Sequence, residues 1–313
     1  MEHDQRQSVG LFSCLVVLVA GVSNYSHAQS VESVTLPNAP LELVSSDFKF
    51  TEGPTSDPHG NVYFTDQPND RIVRWDAETG KLQDWLKPAG RSNGLFFKAD
   101  GEILACADEF NQLWSIAPDK THQVLLENYD GLLMNGPNDV WYDEKRFAYF
   151  TDPYYRRPYW TRENQSSMLP QRVYRIDLST SQVVVAADEF RQPNGIIGDA
   201  DKHLLYVADI GDQKTYRFRI DEQGNLVDRE LFCDQGSDGM TIDQEGNVYL
   251  TGREGVTVFD VRGDKRQLIK VPKNWTANVC FGGQDGKTLF VTASDSIFKI
   301  RMRVAGQVLV TQP

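Results

Sequence analysis

Short runs in which apolar and polar residues alternate, bounded by Asp/Gly turns, fill the chain from about residue 50 to residue 300. The clearest are NVYFTD from Asn61, EILACAD from Glu102, FAYFTD from Phe147, HLLYVAD from His203, NVYLT from Asn247 and KTLFVTA from Lys287. Turns such as DPHG, KADG and DQEG lead into them, and a further run follows each, for example RIVRWD from Arg71 or SIFKI from Ser296. Alternation with a period of two, in runs of five to seven residues and without sustained helical periodicity, predicts antiparallel strands throughout.

The strands are grouped. A polar residue opening a hydrophobic run recurs at Glu52, Asn93, Asn138, Asn194, Asp238 and Asn278, at intervals of 41, 45, 56, 44 and 40 residues. Five of the six units carry a fourth run, such as KLQDWL from Lys81 or QVVVAA from Gln182. A repeat of this length holding four strands predicts an all-β fold, a six-bladed β-propeller with four antiparallel strands per blade. The missing outer strand comes from one terminus, either LELVSS at Leu41 or GQVLVT at Gly306, and the pattern does not choose between them.

In a propeller the innermost strands line a central channel, so the six opening residues gather near one mouth. Any one Asn-Gly or Asp-Gly is a turn signal. Together they would crowd carboxylate and carboxamide oxygens into a confined space, where polar groups need a partner. One reading is an aqueous channel closed by hydrogen bonds. The other is a cation, with Glu52 and Asp238 neutralising its charge and Asn138 and Asn194 as neutral donors. An all-oxygen set without imidazole or thiolate suits Ca2+ best, with Zn2+, Mn2+ and Mg2+ as alternatives.

Charge narrows the partners. With 32 basic against 44 acidic residues the net charge is -12, and no basic run is longer than a pair, which argues against nucleic acid. Residues 1–28 resemble a signal peptide: Arg6 precedes an apolar stretch from Leu11 to Val22, and Ser26-His27-Ala28 forms a small-x-small cleavage site. The stretch is short for a membrane span. The expectation is an exported protein, periplasmic or extracellular, with no membrane attachment after cleavage. Residues 29–313 then form a single propeller domain, a monomer or weak oligomer. Cys106, Cys233 and Cys280 sit in strand-like contexts and read as small buried hydrophobes rather than a disulfide framework. Sequons at Asn164 and Asn274 matter only where the source glycosylates exported proteins.

The segments EGPTSDPHGNVYFTDQPNDRIVRW, GPNDVWYDEKRFAYFTDPYY, QPNGIIGDADKHLLYVADI, SDGMTIDQEGNVYLTG and TANVCFGGQDGKTLFVTAS together resemble the gluconolactonase, regucalcin and senescence-marker-protein family from about Glu52 to Ile300. The resemblance implies a metal held by the Glu of EGP, the Asn of PND, the Asn of PNG and the Asp of DG, which are Glu52, Asn138, Asn194 and Asp238 here. It also implies hydrolysis of a sugar lactone, typically an aldono-1,5-lactone, to the aldonic acid. Asp238 is the expected general base by that resemblance, with Glu52 as second candidate. Some animal members carry Arg two residues before the PND Asn, where this chain has Gly136, a departure that bears on the preferred substrate.

Asn93, Arg91 and Tyr154 are the expected substrate contacts. Tyr154 belongs to an extra segment, PYYRRPYWTRENQSSMLPQ from Pro153, that lengthens the third interval and reads equally as a lid over the site or as a structural loop. Two rival functions stay open: a calcium-dependent phosphotriesterase on the same scaffold, and a non-catalytic binding propeller with the metal as a plug. Neither a G-x-S-x-G elbow nor a nucleotide-binding loop occurs.

Overall fold

The computed structural model describes residues 1–2, 32–163 and 165–307. The expected leader, its boundary after residue 28, the sequon at Asn164 and most of the GQVLVT run lie outside them. The chain divides into Met1–Glu32 and a compact unit, Ser33–Pro313.

That unit is a six-bladed propeller of four-stranded antiparallel sheets, each blade beginning with its innermost strand. The first blade is Thr51–Ser56, Val62–Asp66, Arg71–Trp75 and Leu82–Leu86, and the second Ser92–Phe97, Ile103–Ala107, Gln112–Ile116 and His122–Leu126. The third is Val140–Tyr142, Phe147–Asp152, Arg172–Asp177 and Gln182–Ala187; the fourth is Pro193–Asp199, Leu204–Asp209, Lys214–Ile220 and Leu226–Cys233. The fifth is Met240–Ile242, Val248–Gly252, Gly255–Phe259 and Lys265–Lys270. The sixth takes Asn278–Gly282, Thr288–Ala293 and Ser296–Arg301 from the end of the chain and its outer strand, Glu42–Ser45, from the beginning.

The open question of ring closure is therefore answered by the LELVSS run. Glu42 pairs with Lys299 and Leu43 with Phe298, and Lys299 Nζ reaches Glu42 Oε2 at 3.3 Å. Joining the two ends of the ring in one sheet fastens the first blade to the last and covers a strand edge. Among the described residues the sole helical element is a 3-10 turn, Gln67–Asn69, and no helix is long and apolar enough to cross a membrane.

Apolar side chains sit between blades, in six clusters, one for each neighbouring pair. On Val62–Asp66, Val62 and Phe64 face the sixth blade while Tyr63 faces the second. On Ile103–Ala107, Ile103 and Ala105 face the first blade while Leu104 and Cys106 face the third. Both faces of these second strands are buried, which is why they read as almost continuous apolar runs. Each fully buried aliphatic or aromatic side chain contributes about 1.5–3 kcal/mol. Cys106, Cys233 and Cys280 are free thiols in this interior.

Candidate active site

The polar openings of the inner strands owe their position to two local features. The first is a β-bulge: the register slips between Glu52 and Thr55, between Ser92 and Leu95, and between Pro193 and Ile196. A bulge re-aims the side chain it displaces. The second is the following glycine. A Cβ on Gly53 would lie 2.0 Å from Asn93 O, and one on Gly239 would lie 1.9 Å from Asn278 Cγ. The E-G and D-G pairs therefore exist because neighbouring inner strands touch around the axis, and a side chain there would force them apart.

A third feature clamps the segments that present these residues. The second strand ends in aspartate in the first, third and fourth blades, at Asp66, Asp152 and Asp209, and Asp108 directly follows it in the second; all four are buried. Asp66 Oδ1 accepts from Lys49 N–H and Phe50 N–H just before Glu52. Asp152 accepts from Asn135 N–H and Gly136 N–H just before Asn138, and Asp209 from Arg191 N–H and Gln192 N–H just before Asn194. Asp108 departs from this pattern. Its Oδ2 accepts from Arg157 Nε at 2.8 Å, Tyr159 Oη at 2.6 Å and Gln67 Nε2 at 3.1 Å, so in the second blade the clamp holds the extra segment.

The result is a cavity of about 380 Å³ at one mouth of the channel, lined by Glu52, Asn93, Asn138 and Asp238 together with Tyr155, Arg157, Gln192 and Trp275. Asn194 joins it through its hydrogen bonds, donating from Nδ2 to Asp238 Oδ1 at 2.7 Å and to Tyr155 Oη at 2.9 Å. Trp275 Nε1–H donates to Asp238 Oδ2 at 2.6 Å, which fixes that carboxylate from its other side. Asn278 lies deeper. It lines the narrow channel below, donates to Asp139 Oδ2 at 3.4 Å and accepts from Val279 N–H, so five of the six strand-opening residues gather at the mouth and the sixth does not.

Several oxygens at this mouth lack partners. Asn194 Oδ1 is buried and accepts no hydrogen bond, although the residue is fully enclosed. Among the described residues Glu52 accepts one, from Gly53 N–H at 3.2 Å, and the carboxamides of Asn93 and Asn138 make none within the protein. Native interiors leave few buried polar atoms unpaired, so this gathering of unengaged oxygens needs an explanation. Burial raises the pKa of Glu52 well above the ordinary carboxylate range, and the Asp238 charge raises it further. Burial also lifts Asp238, against the pull of the Trp275 and Asn194 hydrogen bonds and of the Arg157 charge. Among the described residues no three His, Cys, Asp or Glu side chains are grouped for a metal. Two carboxylates and two carboxamides with an orphaned oxygen nevertheless fit a hard divalent cation completed by water, as Ca2+ prefers, and fit zinc poorly.

The extra segment supplies the contacts expected from Arg91 and Tyr154, through other side chains. Arg91 does not line the cavity; it donates to Pro68 O at 2.8 Å and lies over the Tyr159 ring. Tyr154 does not line it either, since its hydroxyl donates to Gln165 O. Tyr155 and Arg157 enter instead. Gly136, at φ +151°, faces Asp108 and Trp160, where a Cβ would come within 2.9 Å of Asp108 Oδ1. The segment is tied down at Asp108 and at Asn135, whose Oδ1 accepts from Ser167 Oγ and Met168 N–H, and so forms a wall of the site.

Comparison with known proteins agrees with the fold. The family model described as the SMP-30/gluconolactonase/LRE-like region matches residues 50–295. Gluconolactonase of Zymomonas mobilis is 28% identical over 298 residues, covering 86% of this chain and 83% of the relative. Regucalcin of Xenopus laevis is 28% identical over 269 residues, 80% of this chain and 85% of its own. Among solved structures, a gluconolactonase from Xanthomonas campestris superposes with a TM-score of 0.79 at 25% identity, covering 86% of this chain and 91% of the other.

Proposed function

The chain belongs to the SMP-30/gluconolactonase/LRE-like family, and from that premise we propose that it hydrolyses a sugar lactone, an aldono-1,5-lactone such as gluconolactone, to the aldonic acid. The observation that carries the metal-dependent form of this reading is the orphaned Asn194 Oδ1 beside Asp238 and near Glu52. Glu52, Asn138, Asn194 and Asp238 would hold a divalent cation, Ca2+ foremost. When bound, it supplies Lewis-acid polarisation of the ester carbonyl and compensates the charge that develops on its oxygen.

The chain's own residues provide the rest. The cavity is large enough for one sugar ring, and Phe50, Ile210 and Trp275 give it apolar walls that exclude bulk water. Arg157 is held through Nε by Asp108, and its terminal amino groups make no hydrogen bond among the described residues, so they are free to donate to the lactone. Asn93 offers an unengaged carboxamide to ring hydroxyls. In this reading Asp238, oriented by Trp275 and Asn194, takes a proton from water as its oxygen bonds to the carbonyl carbon, with Glu52 as second candidate. The proton then passes to the ring oxygen as the ring C–O bond breaks, giving one molecule of hydroxy acid per water consumed.

A pH-stat assay on gluconolactone, with and without a chelator and after restoring Ca2+, tests the reading. Loss and recovery of turnover support it. Undiminished turnover in chelator removes the metal dependence, and absence of turnover on aldonolactones under every condition removes the substrate class.

A further inference from the structure

Behind Trp275, where loops of the fourth, fifth and sixth blades meet, lies a second cavity of about 260 Å³. It shares Ile210, Asp238 and Trp275 with the first cavity, so those three side chains form the partition between two rooms at the same mouth. A sugar ring seated against Asp238 leaves this second room empty.

Its walls suit a hydroxylated ligand. Thr276 is fully buried and its hydroxyl has no hydrogen-bond partner, a condition native interiors avoid unless a ligand or water completes it. Arg253, exposed at the rim, makes no hydrogen bond or ion pair among the described residues. Gln213 is held by Nε2 donating to Ile210 O, leaving its carbonyl oxygen unengaged. Trp275 offers an aromatic surface, the kind on which sugar rings pack. Gly252 keeps the room open, since a Cβ there would meet nothing nearer than Gln235 Nε2 at 3.7 Å.

We propose that the second cavity is a subsite for a glycosyl substituent, so that the preferred substrates are aldobionolactones, lactones bearing a second sugar. This rests on the lactonase reading above and extends it to the substrate. The two rooms then have distinct tasks: the first binds the ring that opens, and in the second the Thr276 hydroxyl, the Gln213 carbonyl oxygen and the Arg253 guanidinium bind the sugar attached to it.

The test compares kcat/KM of the full chain on gluconolactone, cellobionolactone and 6-phosphogluconolactone, for wild type, Gly252→Phe and Thr276→Val. We expect wild type to favour cellobionolactone over gluconolactone by about 10-fold or more. Gly252 lies outside the first cavity and its backbone admits a side chain, so Gly252→Phe should cut the disaccharide reaction at least about 10-fold while gluconolactone turnover, which also reports correct folding, stays within about two-fold. Thr276→Val, which keeps the shape and removes the hydroxyl, should raise KM for cellobionolactone several-fold with little change in kcat. No preference for cellobionolactone, or an equal loss on both sugars in Gly252→Phe, overturns the subsite. A preference for the phosphorylated lactone overturns the glycosyl assignment in favour of an anion read by Arg253. Failure of wild type on all three lactones instead defeats the parent reading.

Discussion

The two ends of the inner strands are built from the same residue types and behave oppositely. At the end away from the candidate active site, Asp57 accepts from His59 N–H, Asn61 N–H, Asn61 Nδ2 and Tyr63 Oη. Asp243 repeats this with Glu245 N–H, Asn247 N–H, Asn247 Nδ2 and Tyr249 Oη. Each carboxylate there is saturated by donors within six residues, so its role is to close a turn. At the other end, Glu52 accepts one hydrogen bond and Asn194 Oδ1 none. The same chemistry closes a turn where local donors fill it and stays open to a ligand where they are withheld.

The largest effect expected from this contrast is at the unsaturated end. Glu52→Ala and Asp238→Ala should each lower lactone turnover at least about 100-fold, near 2.7 kcal/mol of transition-state stabilisation. Melting curves should show both variants folded, and an unchanged rate in either would remove its assigned role. At the saturated end, Asp243→Ala strands four donors, each costing about 1–3 kcal/mol when buried and unpaired. We expect a fall in Tm on the order of 10 °C with turnover per folded molecule within about two-fold; a large activity loss in the folded protein would dissolve the contrast.

Smaller effects sharpen it. Asp108→Asn removes the charge that holds Arg157 and Tyr159. It should raise KM by about 10-fold, equivalent to 1.4 kcal/mol, and change kcat less, as read from initial rates over a range of lactone concentrations. The smallest concerns Glu144, the departure at the saturated end, whose Oε1 is buried without a partner. Burial raises its pKa from 4.5 to about 7. Because the folded value lies above the unfolded one, the protonated carboxyl favours the fold below about pH 4.5 and that contribution is lost as pH rises through about 7. Glu144→Gln should therefore lose fewer degrees of Tm than wild type between pH 5 and 8, with turnover unaltered. Equal pH slopes would show that the charge is solvated.

Much of this was legible in advance because a repeat states the same local geometry six times. The spacing from Glu52 to Asp238 placed these residues on equivalent strands, and equivalence in a ring means proximity. The aspartates ending FTD, CAD, FTD and VAD were visible in the same repeats, yet their clamping role was not, since their partners lie in segments far back in sequence. The extra segment from Pro153 has no counterpart in other blades, so nothing set the direction of its side chains. Tyr154 and Arg91 were expected in the cavity, and Tyr155 and Arg157 line it. Trp275 gave no signal for the site: it lies between Asn274 and the TANVC segment, far from Asp238 in the chain.

The sequence by itself determined the number of blades, the alternation that buries both faces of their second strands, and the polar residues opening the inner strands. Each of those follows from spacing within a few residues, repeated. Only the tertiary structure decided that Glu42–Ser45 closes the ring, that Asn278 sits below the mouth beside Asp139, and that Asp108 reaches across to Arg157. Those outcomes depend on contacts between residues far apart in the chain, and the distance closes only when the sheets pack.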